Sequence, residues 1–436
     1  MISAATRRAV LQVFMSFCMV LAGATAPLQA ARSEVPSLEE MWAVIRAQQA
    51  QIEELQSKLA AAEERVDETA ANVEVTADAV EQVAMQRDKE VSGRSTTVGG
   101  YGELHYNNLN DQETADGDDD VDRADFHRFV LYFGHEFTDD IRFFSELELE
   151  HSLAGDGAPG EVELEQAWVE MDINDQHRFR AGLDILPIGI INVTHEPNTF
   201  YGVERNRIES EIIPATWWEA VAGFNGEIAP GWNYDIVAHS GLVVPTTGSS
   251  AFRPRSGRMK VAEADDQDFA LTGRVRFTGV PGLEVGVSGQ YQADMTGTAD
   301  AFDISATLFE GHVDWKHASG FGLRALYARW DIDDDNGLDP GAFNADTQAG
   351  WYVEPAYRFA LGGWLGEAGV FARYSNWDER NQLASLRYED FEQVTVGLNW
   401  WPHHNLAFKF DAQWEDADGD VDRVLDGINL GIGYQF

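Results

Sequence analysis

Cysteine is almost missing: the 436 residues contain one, Cys18. Positive charge is also scarce, with 31 Lys and Arg against 74 Asp and Glu, a net charge of −43. Beyond residue 97 only Lys260, Lys316 and Lys409 remain as lysines. An acidic chain of this kind lacks the basic footprint that nucleic-acid binding requires. After residue 30 there is no apolar run of about 18 residues, so no transmembrane helix is available. Acidic chains poor in aromatics are often disordered, but here aromatics make up 11% with 13 Trp. Together with 40 glycines, that favours a β-rich protein with tight turns.

Residues 1–30 read as a signal peptide. Arg7 and Arg8 precede a mostly apolar stretch, and Leu28-Gln29-Ala30 offers a small-residue cleavage site. Cys18 lies inside that stretch, so the mature chain has no thiol for catalysis. Residues 37–86 carry a heptad repeat. Leu38, Ile45, Ile52, Leu59, Val66, Val73 and Val80 occupy successive a positions, with no proline or glycine between them. A seam of this kind predicts a coiled coil that self-associates, and a homotrimer is the expected state.

From residue 97 the period changes to two. In "GINLGIGYQF" Ile428, Leu430, Ile432, Tyr434 and Phe436 share one face, and Asn429, Gly431, Gly433 and Gln435 the other. One face suits lipid and the other water. Sixteen such segments are predicted between 97 and 436. Their connections alternate between short turns, such as 138–140 and 280–282, and long polar segments, such as 109–122 and 242–268. An even strand count with this alternation predicts a 16-stranded antiparallel transmembrane outer-membrane β-barrel, with an N-terminal α-helical coiled coil in the periplasm. Phe436 at the terminus resembles the signal that barrel assembly machinery recognises. Lipid and lipopolysaccharide would surround the barrel.

Sixteen strands leave a lumen too wide for side chains to close. The segment 186–216 has neither a helical stripe nor strand alternation, and predicts a constriction loop folded inward. It would bring His195, Glu196, Glu204, Arg205, Arg207, Glu209 and Glu211 to the eyelet. A loop folded over the outer mouth is the alternative. With the apolar face taken as outward, Arg128, Arg142, Arg178, Arg180, Arg274, Arg276, Arg324, Arg358, Arg373 and Lys409 become pore-lining candidates. Each of these could instead pair with an acid across the wall. The acidic stretches at 111–122 and 415–422 lack the full calcium-loop pattern, so neither metal nor cofactor is expected.

The coiled coil, "VGGYGELHYNN" at 98–108, "RFRAGLDILPIGIINVTHEPNTFYGVERNRIESEIIPATWWE" at 178–219 and the terminal Phe resemble the phosphate-selective porin O and P family. The resemblance covers most of the mature chain. It implies a trimeric barrel that passes small solutes, including anions such as phosphate, by diffusion. Phosphate-specific members carry a lysine cluster that this chain does not match. No Ser/His/Asp grouping suggests an enzyme. An envelope tether, with the barrel as anchor and the coiled coil on peptidoglycan, is the rival reading.

Overall fold

The computed structural model describes Gln49 and residues 95–113, 120–248, 250–264, 268–297, 303–333, 345–378, 390–418 and 423–436. The expected signal peptide and, apart from Gln49, the expected coiled coil lie outside these residues. The chain divides into two units, Met1–Gly93 and Arg94–Phe436, and the following concerns the second.

Sixteen strands run in chain order: β1 Thr96–Asp111, β2 Val121–Glu136, β3 Ile141–Glu150, β4 Val162–Asp172, β5 His177–Ile185, β6 Trp218–Ala229, β7 Trp232–His239, β8 Ala270–Val280, β9 Leu283–Gln292, β10 Ala306–Lys316, β11 Phe321–Ile332, β12 Thr347–Ala360, β13 Glu367–Asp378, β14 Asp390–His403, β15 Leu406–Asp418 and β16 Leu425–Gln435. Each pairs antiparallel with its chain neighbours, and β1 pairs with β16 to close the barrel. The terminal residue joins that seam: Gly100 N donates to Phe436 O at 3.0 Å and Phe436 N to Gly100 O at 2.9 Å. Closure satisfies every strand edge, which a sheet in hydrocarbon requires. The tight turns have local causes. Asn174 Oδ1 accepts from both Gln176 N and His177 N. Gly282 turns at φ +77°, where an added Cβ would meet Lys316 O at 2.1 Å.

The sequence alternation survives as the two faces of the wall. On β16, Ile428, Leu430 and Ile432 are exposed on the outside while Asn429 is buried inside. Leu104, Phe133, Phe224, Val287, Phe309, Leu398 and Phe410 extend the greasy exterior around the barrel. A continuous exposed apolar band of this kind is untenable in water and natural in hydrocarbon.

At the long-loop ends of several strands the alternation changes sense. On β11 the outward residues become Arg329 and Asp331, hydrogen-bonded to each other at 2.9 Å, while Ala328, Trp330 and Ile332 turn inward and are buried. On β14, Asp390 and Glu392 flank buried Phe391, and on β13, Asn376 and Asp378 flank buried Trp377. These inward apolar groups form a core inside the barrel with Leu186, Ile188, Ile208, Ile212, Ile213 and Trp217 of the β5–β6 connection. The expectation that the apolar face of each strand points outward does not hold at these ends.

Candidate functional site

The β5–β6 connection enters the lumen and crosses it. Its neck is closed by Asn192, whose Oδ1 accepts from Trp217 N at 2.8 Å and whose Nδ2 donates to Leu186 O at 2.9 Å. Beyond the neck the chain meets distant parts of the inner wall in turn. Asn198 Nδ2 donates to Gln435 Oε1 of β16 at 2.9 Å. Thr199 O accepts from Arg324 of β11 at 2.8 Å, and Phe200 O accepts from Asn399 of β14 at 3.3 Å. Val203 N donates to Asp411 of β15 at 2.6 Å. Glu204 lies 3.0 Å from His105 Nδ1 and accepts from Asn107 of β1 at 2.9 Å. A single π-helical turn, Ile208–Ile212, then returns the chain to the apolar core, where Trp330 Nε1 donates to Ile212 O at 2.8 Å. The partners of these contacts lie on β1, β11, β14, β15 and β16.

The inner wall beneath the loop is shaped to receive it. A Cβ at Gly433 would meet Pro197 Cβ at 2.4 Å, and one at Gly431 would meet Val203 Cγ1 at 3.1 Å. The glycines that the alternation assigned to the wet face are therefore seats for loop side chains. Gly433→Leu is expected to lift the loop. The check is limited proteolysis, which should cut between 195 and 211 in the variant and spare the wild type while both keep the heat-resistant gel mobility of a closed barrel.

The sequence-derived loop residues divide by environment. Glu209 is fully buried: Ile190 N and Ile191 N donate to its Oε2, and Tyr352 donates to Oε1 at 2.6 Å. Its carboxylate is a knot within the loop. Glu211 pairs with Arg207 at 3.4 Å and with Arg253. His195 is buried against Glu146 and Glu165 of the wall. Glu196 is half-buried, and its carbonyl accepts from Thr199 N. Arg205 donates to Thr216 Oγ1 at 2.8 Å, while its Nε and Nη2 have no hydrogen-bond partner among the described residues. Burial pushes the Glu204 carboxyl up, but the adjacent His105 imidazole outweighs it and holds the group well below the usual range.

The wall cations stand mostly in cross-strand ion pairs. Arg128 pairs with Glu103, Arg142 with Glu170 at 2.9 Å, and Arg178 with Asp172 at 3.1 Å. Arg180 contacts Glu170 and Asp184, both at 2.7 Å. Arg274 pairs with Asp235 at 2.9 Å, Arg276 with Glu284 at 3.4 Å, and Arg324 with Asp314 at 3.1 Å. Arg358 pairs with Glu367, and Arg373 with Glu354 at 3.1 Å. Lys409 differs: its Nζ sits 3.6 Å from the centroid of the loop's Phe200 ring and makes no hydrogen bond to a described residue. Many of the charges therefore brace neighbouring strands.

Hollows lie beside the loop. One, of about 240 Å³, lies between Pro187 and Val193 of the loop and the wall of β4–β8, where Arg180, Arg274 and Arg276 face Asp184, Asp235 and Asn225. The other, of about 160 Å³, is lined by Thr199 and Tyr201 of the loop with Arg324, Arg358, Asp314 and Glu354.

Sequence reasoning missed a second inward segment. In the β7–β8 connection, Arg255 donates to the carbonyls of Ser210 and Ala215, Arg258 donates to that of Thr216, and Arg253 pairs with Glu211. This clamps the returning limb of the first loop. Burial, with Arg255 nearby, pushes the Arg258 guanidinium down to about 10. The signal was present as "RPRSGR" at 253–258, three arginines within six residues of an otherwise acidic chain.

No protein-family model matches the chain. A protein of Aquifex aeolicus (strain VF5), described as uncharacterized, is 28% identical over 368 residues, 76% of this chain and 79% of its own. Among solved structures, the anion-selective porin from Comamonas acidovorans superposes with a TM-score of 0.54 at 12% identity, over 79% of this chain and 100% of that one. OmpF of Salmonella typhi gives 0.52 at 11% identity, over 79% and 98%. The outer membrane channel DcaP of Acinetobacter baumannii gives 0.51 at 11% identity, also over 79% and 98%. The chain thus shares the fold of outer-membrane porins, a closed 16-stranded antiparallel barrel.

Proposed function

We propose that this protein is a bacterial outer-membrane channel through which small hydrophilic solutes diffuse passively. The observation that carries the reading is a barrel greasy outside and charged inside, crossed by a loop that leaves polar space beside the wall. Diffusion needs only such a wet, charged narrowing with weak binding, and no catalytic grouping is invoked. The narrowing is formed by 186–216, with His195, Glu196, Glu204, Arg205, Arg207, Glu209 and Glu211 as the loop's own charged residues. Of these, Glu209 serves to fix the loop.

The passage runs along β4–β8. Three arginines there face two carboxylates, and Arg274 Nη1 and Arg276 Nε have no hydrogen-bond partner among the described residues. Guanidinium groups that line a passage are suited to oxyanions, so the proposed passage favours anions despite the acidic chain. The resemblance carried by 178–219 points the same way, toward the phosphate-selective porin O and P family. The heptads of 37–86 support a trimer with a periplasmic coiled coil.

Reversal potential across a planar bilayer in a salt gradient tests the preference. Anion selectivity is expected for the wild type, and Arg274→Glu with Arg276→Glu is expected to invert it. A potential that does not move removes this wall from the permeation path. Absence of conductance altogether would favour the tether.

A further inference from the structure

Glu146 of β3, Glu165 of β4 and His195 of the loop bring one ligand atom each to a common point, all within 4.8 Å of one another and all three residues buried. We infer that these residues form a binding site for a divalent transition ion, of which zinc fits the donor set, and that the ion would staple the lumen loop to the wall.

The distances suit the chemistry. His195 Nε2 lies 3.3 Å from Glu146 Oε1 and 3.4 Å from Glu165 Oε2. In a tetrahedral zinc site with bonds of about 2.0–2.1 Å, neighbouring ligand atoms stand about 3.3 Å apart. The other ring nitrogen, Nδ1, lies 3.3 Å from the carbonyl oxygen of Asn192. A carbonyl only accepts, so Nδ1 carries the proton, which leaves the Nε2 lone pair free to point at the two carboxylates when the imidazole is neutral. A metal-binding histidine fixed in this way is the usual arrangement. Gln166 Nε2 donates to Glu146 Oε2 at 2.5 Å, which orients the first carboxylate while leaving Oε1 on the His195 side.

Glu165 supplies two independent arguments. It reaches the interior through a β-bulge: Glu146 pairs with Gln166 and Leu147 with Leu164, so Glu165 has no partner on β3. In a regular strand Glu165 and Gln166 would face opposite sides, and the bulge turns both inward. Bulges are commonly kept where a side chain must be re-aimed. Glu165 Oε2 is also buried and, apart from the 3.4 Å contact with His195 Nε2, has no hydrogen-bond partner among the described residues. A buried carboxylate oxygen in that condition needs a cation to offset its desolvation.

The local ion pairs show which cation is missing. Arg128 is occupied by Glu103 and Glu148. Among the described residues, His195 is the cationic side chain that pairs with Glu146 or Glu165. A protonated His195 would neutralise one of the two carboxylates. A divalent ion neutralises both, with the imidazole neutral and a fourth position open to water.

The experiment is zinc titration of the purified, chelator-stripped full-length protein by calorimetry, with the bound metal counted by elemental analysis. One Zn²⁺ per chain is expected in the wild type, with little response to Ca²⁺. Glu165→Gln, nearly the same shape, is expected to weaken zinc binding by about tenfold or more, and His195→Ala at least as strongly. Glu161→Gln, at the exposed member of a separate acid group with Glu150 and Glu163, should change nothing. Heat-resistant gel mobility establishes that each variant forms a barrel, and Glu165→Gln carries the test if His195→Ala does not. X-ray absorption at the zinc edge should show one imidazole among oxygen ligands. Equal zinc binding in wild type and Glu165→Gln, loss of binding in Glu161→Gln instead, or no stoichiometric binding at all would overturn the assignment. None of these readouts depends on conductance, so the site and the channel stand or fall separately.

Discussion

Channels from a variant lacking 195–211 are expected to conduct about twofold or more above the wild type, because the bare lumen of a 16-stranded barrel is an open aqueous pore. The deleted stretch contains the groups that bridge opposite walls: Asn198 to β16, Phe200 to β14, Val203 to β15 and Glu204 to β1. Without them the connection loses its links to β1, β14, β15 and β16 and keeps its contact with β11 through Ile212 and Trp330. The wall itself should persist, since each strand is held by its two neighbours and not by the loop. Ion preference should weaken together with the rise in conductance, because a wider path dilutes the influence of wall charge. Unchanged single-channel conductance in a barrel that still resists heat would show that the loop does not narrow the path.

Glu209→Ala should free the loop without removing any of it. Its side chain accepts from two consecutive backbone amides and from the Tyr352 hydroxyl. Truncation leaves those donors buried and unmade, at about 1–3 kcal/mol each. Losses of that size exceed what most local loop structure can withstand. The expected readouts are rapid cleavage within 195–216 and strong flickering of the open-channel current. Glu209→Gln, which keeps an acceptor oxygen for the amides, should be much milder. Equal proteolytic resistance of wild type and Glu209→Ala would show that the knot is dispensable.

The two variants also separate what the sequence made visible from what it concealed. Strand positions were legible because hydrocarbon outside and water inside impose a period of two. The expected sixteen segments between 97 and 436 correspond to sixteen strands between Thr96 and Gln435. The 186–216 connection stands out by contrast, as a long segment with neither period. Its attachments do not. Whether Glu209 points at solute or at its own backbone depends on one π-helical turn, and no local pattern in "RIESEI" announces it. The apolar interior stayed hidden for a different reason. Trp330 and Trp377 share the inward face of their strands with Arg324 and Arg373, and a rule that equates apolar with outward cannot find them, because that rule changes where the strand leaves the bilayer. Glu165 was missed because a bulge shifts parity by one, and a reading by parity then places it on the wrong face.

The reversal of the pattern on β11, β13 and β14 has a consequence for how the barrel floats. Outward Asp331, Asp378 and Asp390 cannot be drawn into hydrocarbon without a steep desolvation cost. They act as a waterline along one side of the cylinder and limit its immersion there. A thicker bilayer would have to thin around these strands or tilt the whole barrel, so membrane composition has a mechanical handle on the same strand ends that grip the loop from within.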